Sequence, residues 1–152
     1  MNILERSNAK TIKSVKGYIP VTNKYTAGLA AEEFFTQLTQ GKIVGSYCEK
    51  CNHSFLPARH FCEKCFSRCE TNKEAPLEGT LKTWTKVYKD LDGKDLKEPV
   101  TLGFVTFKGF KGGLIHKLKG TQLSIGARVK PVFVPKNKQT RTILDIKHFE
   151  TV

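Results

Sequence analysis

All five cysteines of the chain fall within one stretch, Tyr47-Cys-Glu-Lys-Cys-Asn-His-Ser-Phe-Leu-Pro-Ala-Arg-His-Phe-Cys-Glu-Lys-Cys-Phe-Ser-Arg-Cys69. Two Cys-x-x-Cys pairs, Cys48/Cys51 and Cys62/Cys65, stand ten residues apart, and Glu-Lys fills both. Each pair has the spacing of a tight turn whose backbone amides point at the sulfurs. Two such turns facing each other make a tetrahedral S4 cage, the ligand set of a structural zinc ion. A single pair would also suit a thioredoxin-like redox site. The doubled pair reads as a zinc ribbon, with a rubredoxin-like iron site or two disulfides as the alternatives.

The fifth cysteine, Cys69, leaves an odd thiol, which argues against a fully paired disulfide framework. It reads as a spare thiol beside the ribbon. His53 and His60 are also close, and spacing alone leaves a Cys3His set open, but with four thiolates already well spaced these three read as residues around the cage or on the surface. Cysteines held by a metal fit a reducing compartment, so a cytoplasmic location is expected.

Acyl-transfer chemistry would need an activated nucleophile, a general base within hydrogen-bond reach and oxyanion donors. Four of the cysteines are assigned to metal, and a saturated S4 site has no open position for an activated water. His116 lies in an expected strand with no acid or nucleophile near it in sequence. The chain therefore reads as a protein without catalytic residues of its own.

The elements that must carry these residues can be read from periodicity. Leu29, Ala30, Phe34, Phe35 and Leu38 recur at helical spacing, Glu32 and Glu33 come early and Gly41 follows, which predicts a helix over 28–40. Paired Phe34 and Phe35 leave two options, packing within the chain or docking on another subunit. Beyond the ribbon the texture becomes β. Strands are expected over 79–88, 100–108, 114–119, 127–134 and 142–149, with a charged loop over 90–98. On 79–88 the alternation puts Leu81, Thr83, Thr85 and Val87 on one side and Trp84 and Tyr88 on the other. Five strands with Gly-rich turns suggest a partly open Greek-key barrel of the OB type, an SH3-like barrel being the competitor. The expected fold class is thus mainly β with an N-terminal helix: a rubredoxin-like zinc ribbon followed by a five-stranded OB-fold. The expected division is an N-terminal arm and helix over 1–44, the ribbon over 45–75 and the OB-fold over 76–152. Within the arm, 1–16 is polar and Lys-rich and expected to be poorly ordered, and 17–26 favours extended backbone.

The formal charge is +12, from 26 basic against 14 acidic side chains. Residues 26–98 cancel at 11 of each sign, whereas 1–25 carry five basic and one acidic, and 99–152 carry ten basic and two acidic. A field of that sign attracts a phosphorylated cofactor such as coenzyme A, nucleic acid or an acidic protein face. An OB-fold with Trp84, Tyr88, Phe104 and Phe107 and a basic C-terminal third also suits a binder of single-stranded nucleic acid. The start of the chain lacks a signal-peptide pattern and no run of ~18 apolar residues occurs, so a soluble intracellular protein with no membrane partner is expected.

Several phrases, in order, resemble a known family: Tyr25-Thr-Ala-Gly28 leading into Phe34-Phe35, Gly41-Lys-Ile-Val-Gly-Ser-Tyr-Cys48, the double knuckle around Leu56-Pro-Ala-Arg59, Gly79-Thr-Leu-Lys-Thr-Trp-Thr85, Glu98-Pro-Val, Gly112-Gly-Leu-Ile-His116, Gly126-Ala-Arg-Val and Ile143-Leu-Asp-Ile146. From about residue 17 onward the chain is similar to the zinc-ribbon/OB-fold acyl-CoA-associated family, long known as a domain of unknown function. Cys69 lies outside the shared pattern. The resemblance implies a small, non-catalytic partner subunit of a thiolase-fold enzyme in a hetero-oligomer, or in some systems of an acyl-CoA hydratase or aldolase. It also implies that the OB-fold helps bind a coenzyme A thioester, which makes nucleic acid the less favoured partner. With the basic C-terminal third, it points to Lys117, Lys119, Arg128 and Lys130 as a rim for the phosphates and to Trp84 as an aromatic wall.

Overall fold

The structure, a computed structural model, describes residues 26–120 and 123–152. The expected arm over 1–16, and all but the last residue of the extended stretch, lie outside the described residues. Helix α1, Gly28–Leu38, buries Ala30, Phe34 and Leu38, which stand four residues apart on one face. Leu29, assigned to that stripe from the sequence, instead points outward and is 62% exposed. The helix closes when the Gly41 amide donates to the Leu38 carbonyl and the Lys42 amide to that of Gln37, with Gly41 at φ 75°. That is the Schellman arrangement, and it requires a left-handed residue where glycine stands.

The rest is β. A four-stranded sheet of order β3-β1-β2-β6 is made by β1 (Val44–Cys48), β2 (His53–Leu56), β3 (Glu70–Glu74) and the two-residue β6 (Lys111–Gly112). The remaining strands, β4 (Gly79–Lys89), β5 (Asp95–Thr106), β7 (Leu114–Lys119), β8 (Arg128–Phe133) and β9 (Ile146–Thr151), close a barrel of order β4-β5-β7-β9-β8. All neighbours are antiparallel except β7 and β9, the strand order of an OB-fold.

Three local readings of the sequence are corrected. The charged loop over 90–98 is shorter than expected, because Lys89 pairs with Asp95 and β4 and β5 run on as a hairpin past the barrel wall. Both faces there meet water, so no apolar alternation marks the strand. In β4 a register shift between Leu81 and Thr83 breaks the alternation, so Leu81 is buried while Thr83 and Thr85 lie outward. The last strand begins at Ile146 rather than at residue 142. Ile143–Asp145 is a 3-10 turn capped by the Thr142 hydroxyl, which accepts from the Leu144 amide.

One apolar core runs under both sheets. Phe34, Leu38, Ile43, Val44 and Leu56 pack in the same cluster as Leu81, Val105, Phe107, Leu114 and Phe149. The strand that ties the two halves together is β6, paired in parallel with β2 through Phe55–Lys111 and Leu56–Gly112. Gly112 has φ 83°, and a Cβ there would collide with the Leu56 carbonyl. Gly45 is equally confined, since a Cβ would meet the Phe55 carbonyl and the Phe110 ring.

Burial also reaches a titratable group. His116, 7% exposed on the inner face of β7, donates from Nε2 to the Ile143 carbonyl at 3.1 Å, and its Nδ1 has no partner among the described residues. Desolvation holds its pKa below the usual 6.5, and nearby Lys117 and His148 push the same way. The unfolded chain therefore takes up the proton first as pH falls through 6.5, and stability present above that value is lost below it. Thermal midpoints should fall between about pH 7.5 and about pH 5.5, with a flatter slope in His116→Phe. An unchanged slope in that variant would remove His116 as the cause.

Candidate functional site

The ribbon's two knuckles come from the turn after β1 and from the loop between β2 and β3. In both, the residue after the second cysteine takes a left-handed conformation, Asn52 at φ 51° and Phe66 at φ 55°. Asparagine tolerates this readily and phenylalanine does not, yet Phe66 stands 79% exposed with no packing to compensate. The Cys62–Cys65 turn holds it there: the Phe66 amide donates to the Cys62 carbonyl at 3.0 Å and the Cys62 amide to the Ser67 carbonyl at 2.9 Å.

The sulfurs of Cys48, Cys51, Cys62 and Cys65 lie within 4.8 Å of one another, and no disulfide joins them. A tetrahedral zinc with bonds of ~2.3 Å needs sulfurs about 3.8 Å apart, and Cys48 and Cys65 are 3.6 Å apart. The donor set fits the ion in number, chemistry and size. The knuckle also supplies donors to its sulfurs. The Cys65 amide, helped by that of Lys64, outweighs burial and lowers the Cys62 thiol. The Ser67 hydroxyl and then its amide hold the Cys65 thiol at about 6. Both sulfurs are thus favoured as thiolates, the form that binds metal.

Cys69 is not at the surface. It is 6% exposed and packs with Cys48, Phe55 and Cys62. Burial, followed by the charge of neighbouring Cys48 and Cys62, pushes its thiol up to about 11. His53 packs edge-on against Phe55 and His60 against Phe61, so neither imidazole joins the cage.

On the barrel, the five residues expected to meet coenzyme A do not form one cluster. Lys117 and Lys119 alternate with buried His116 and Leu118 on β7 and point outward. Lys119 pairs with Glu150 and Glu150 with Lys130, placing a carboxylate between two lysines. Arg128 and Lys130 both approach Glu78, at 3.3 and 4.0 Å. Trp84 is 37% exposed and pairs with Gly103, which pairs with His116, so it faces the opposite side of the sheet from Lys117. It borders a hollow of about 280 Å³ with Lys86, Pro99, Thr101 and Leu123. Sequence reasoning passed over Lys86, although the alternation that sets Trp84 and Tyr88 on one side puts Lys86, two residues on, on the tryptophan's side.

A second surface is apolar. Phe35, Pro57, Ala58, Ile115 and Ile143 line a groove of about 330 Å³ between α1 and the barrel. Ile115, 71% exposed, also borders an apolar patch with Leu102 and Phe104 on the outer face of β4, β5 and β7.

These two halves have known counterparts. Residues 35–70 match the family model described as ChsH2, rubredoxin-like zinc ribbon domain, and residues 72–134 match that described as ChsH2, C-terminal OB-fold domain. With the thiol cage, the ribbon match makes zinc the structural cofactor. No curated protein matches. Among solved structures, the chain is similar to one titled an Ltp2-ChsH2(DUF35) aldolase, with a TM-score of 0.56 and 18% identity over 80% of this chain and 92% of that one. It is also similar to a DUF35 protein of unknown function from Sulfolobus solfataricus, with a TM-score of 0.66 and 32% identity. That alignment spans 82% of this chain and 87% of the other, and the chain belongs to the DUF35 family.

Proposed function

We propose that the chain is a non-catalytic, zinc-stabilised small subunit of an acyl-CoA enzyme, paired with a thiolase-type large subunit. Cys48, Cys51, Cys62 and Cys65 hold the zinc, which supplies no chemistry beyond fixing the ribbon. The observation that carries the reading is where the chain spends its cysteines: all five lie in the ribbon, the cage draws on four of them, and the fifth is buried against it. His116 is likewise occupied by a backbone carbonyl inside the barrel. Acyl transfer therefore has to come from a partner. The similarity to an aldolase assembly named for Ltp2 and ChsH2 supports a role beside an enzyme and leaves an aldolase or hydratase as the alternative partner.

The groove at Phe35, Pro57 and Ile115 supports docking of that large subunit, being apolar and open. The outer face of β4, β5 and β7, where OB-folds take single strands, here presents Leu102, Phe104 and Ile115 with Lys117 beside them. A nucleic-acid groove needs several cations interleaved with stacking rings, so this face suits an acyl-CoA partner better. Lys117, Lys119, Arg128 and Lys130 offer charge to coenzyme A phosphates, and Trp84 with Lys86 a separate wall.

Co-purification from native cells tests the reading, the expected companion being a thiolase-type protein in a fixed ratio. The isolated chain should show no thiolysis, and activity should return when the large subunit is added. In the complex, Lys117→Glu with Lys130→Glu should raise KM for the acyl-CoA by about tenfold, less at high salt, since exposed pairs give ~1 kcal/mol each. Bound RNA instead of an enzyme, or thiolysis by the chain alone, would overturn it. Unchanged KM and assembly would remove the basic rim.

A further inference from the structure

Strand β3 has β1 on one side and, among the described residues, no strand on the other. The Ala75 amide donates to the Ile43 carbonyl on the β1 side, and Glu74 stands opposite Val44, so alternation turns the Glu74 amide towards the free edge. An open cleft of about 640 Å³ separates this strand from α1, bordered by Leu29, Glu32 and Glu33 of the helix and by Glu70, Thr71 and Asn72 of β3. Leu29 offers it an exposed apolar side chain. Three carboxylates face it against the single cation of Arg68, and none of the four is ion-paired among the described residues. In a chain of net charge +12 this is an acidic hollow beside an uncovered strand edge.

We propose that residues 17–25 of this chain, which lie outside the described residues, dock in the cleft as an extended segment along the free edge of β3. The tether favours it: the chain enters α1 from Thr26, three residues before Leu29 at the cleft. Charge favours it too, because residues 1–25 carry five basic side chains and one acidic, and Lys16 and Lys24 flank the segment. Tyr18, Ile19, Val21, Thr22 and Tyr25 suit a strand, and Pro20, with no amide to give, suits an outer one. Extended, nine residues span about 30 Å, more than the ~17 Å of five-residue β3. Direction follows from the helix. Leu29 shares the cleft with Glu70, and Lys42 beyond the other end of α1 pairs with Glu74, so a segment leading back from Thr26 runs antiparallel to β3. The apolar groove at Phe35 lies on another face of α1 and stays open, so the docking does not depend on the partner enzyme.

Two measurements on the full-length chain test this. Unlabelled and isotope-labelled copies are mixed, coupled with a carbodiimide that joins lysines to touching carboxylates, and read by mass spectrometry. The expected product links Lys16 to Glu70 within one copy. Amide exchange is then followed by NMR in the wild type, in Val21→Pro and in Glu32→Lys with Glu70→Lys, the last of which leaves the segment itself intact. The Glu74 amide should exchange about tenfold more slowly in the wild type than in either variant, while both variants keep their metal and thermal midpoint. Links that join labelled to unlabelled copies would give the edge to a second molecule and overturn the proposal. So would the absence of any link from Lys16 or Lys24 to Glu70, or equal Glu74 exchange in all three proteins, since the edge would then stand open for a basic segment of another protein.

Discussion

Replacing Cys62 with serine should strip the protein of zinc and unfold the ribbon. Apparent binding energies of structural zinc, ~10–16 kcal/mol in isolated fingers, match or exceed the ~5–15 kcal/mol that holds a whole domain folded. The ribbon has little to set against that loss. Its buried cluster consists of Cys48, Phe55, Cys62 and Cys69, so the sulfur cage is most of its interior. The left-handed backbone at Phe66, which costs of order 1–2 kcal/mol, would then have nothing to enforce it. Metal analysis should fall from about one zinc per chain to near none, and amides of β1, β2 and β3 should lose hydrogen-exchange protection. A chelator should produce the same state. Cys69→Ser keeps all four sulfurs and should keep its metal, so release of zinc by that substitution alone would show the ligand set to be misassigned.

Asp145→Ala should be strongly destabilising although it lies outside the ribbon and removes no apolar packing. Asp145 is 1% exposed, and the hydrogen bonds of its side chain are all local. Its Oδ1 accepts from the Thr140 amide at 2.7 Å and from the Thr140 hydroxyl at 3.3 Å, and its Oδ2 from the Arg141 amide at 3.0 Å. Arg141 has φ 55°, so the carboxylate pins a turn that an arginine would not choose. Hydrogen bonds to a charged group are worth ~1.5–3 kcal/mol each, and because Thr140 and Arg141 are exposed, water offsets part of the loss of three. A loss of about 4 kcal/mol is expected, read as a fall in the urea midpoint at constant slope. Asp145→Asn keeps one acceptor and should lose less. If alanine cost under about 1 kcal/mol, water would have to satisfy these amides unaided.

The metal centre was legible before any coordinates because ligand spacing is a local property. Two turns of four residues bring their own sulfurs together whatever else the chain does. The barrel was legible in outline for a similar reason, since alternation and Gly-rich turns mark half-buried strands. What escaped depended on partners distant in sequence. No composition rule marks Lys111–Gly112 as a strand, because it exists only where Leu56 meets it. Ile143 and Leu144 look like strand residues, but Asp145 and Thr142 bend them into a 3-10 turn. The rim residues were chosen by charge and strand alone. Facing is fixed by the register shift in β4, which put Trp84 and Lys117 on opposite sides.

The pairing of β6 with β2 also bears on how the protein can be cut. The two family matches divide it near residue 71, and the sequence reading divides it after residue 75, but cohesion does not respect either seam. A separately expressed barrel would carry an orphaned strand edge at Lys111–Gly112 and would expose the side of Val105, Phe107 and Leu114 that packs with Leu38, Val44 and Leu56. A separately expressed ribbon would lose the outermost strand of its sheet. The chain is two motifs to a reader of sequences and one cooperative unit to a protease, so limited digestion should yield intact protein or small peptides, with no stable half.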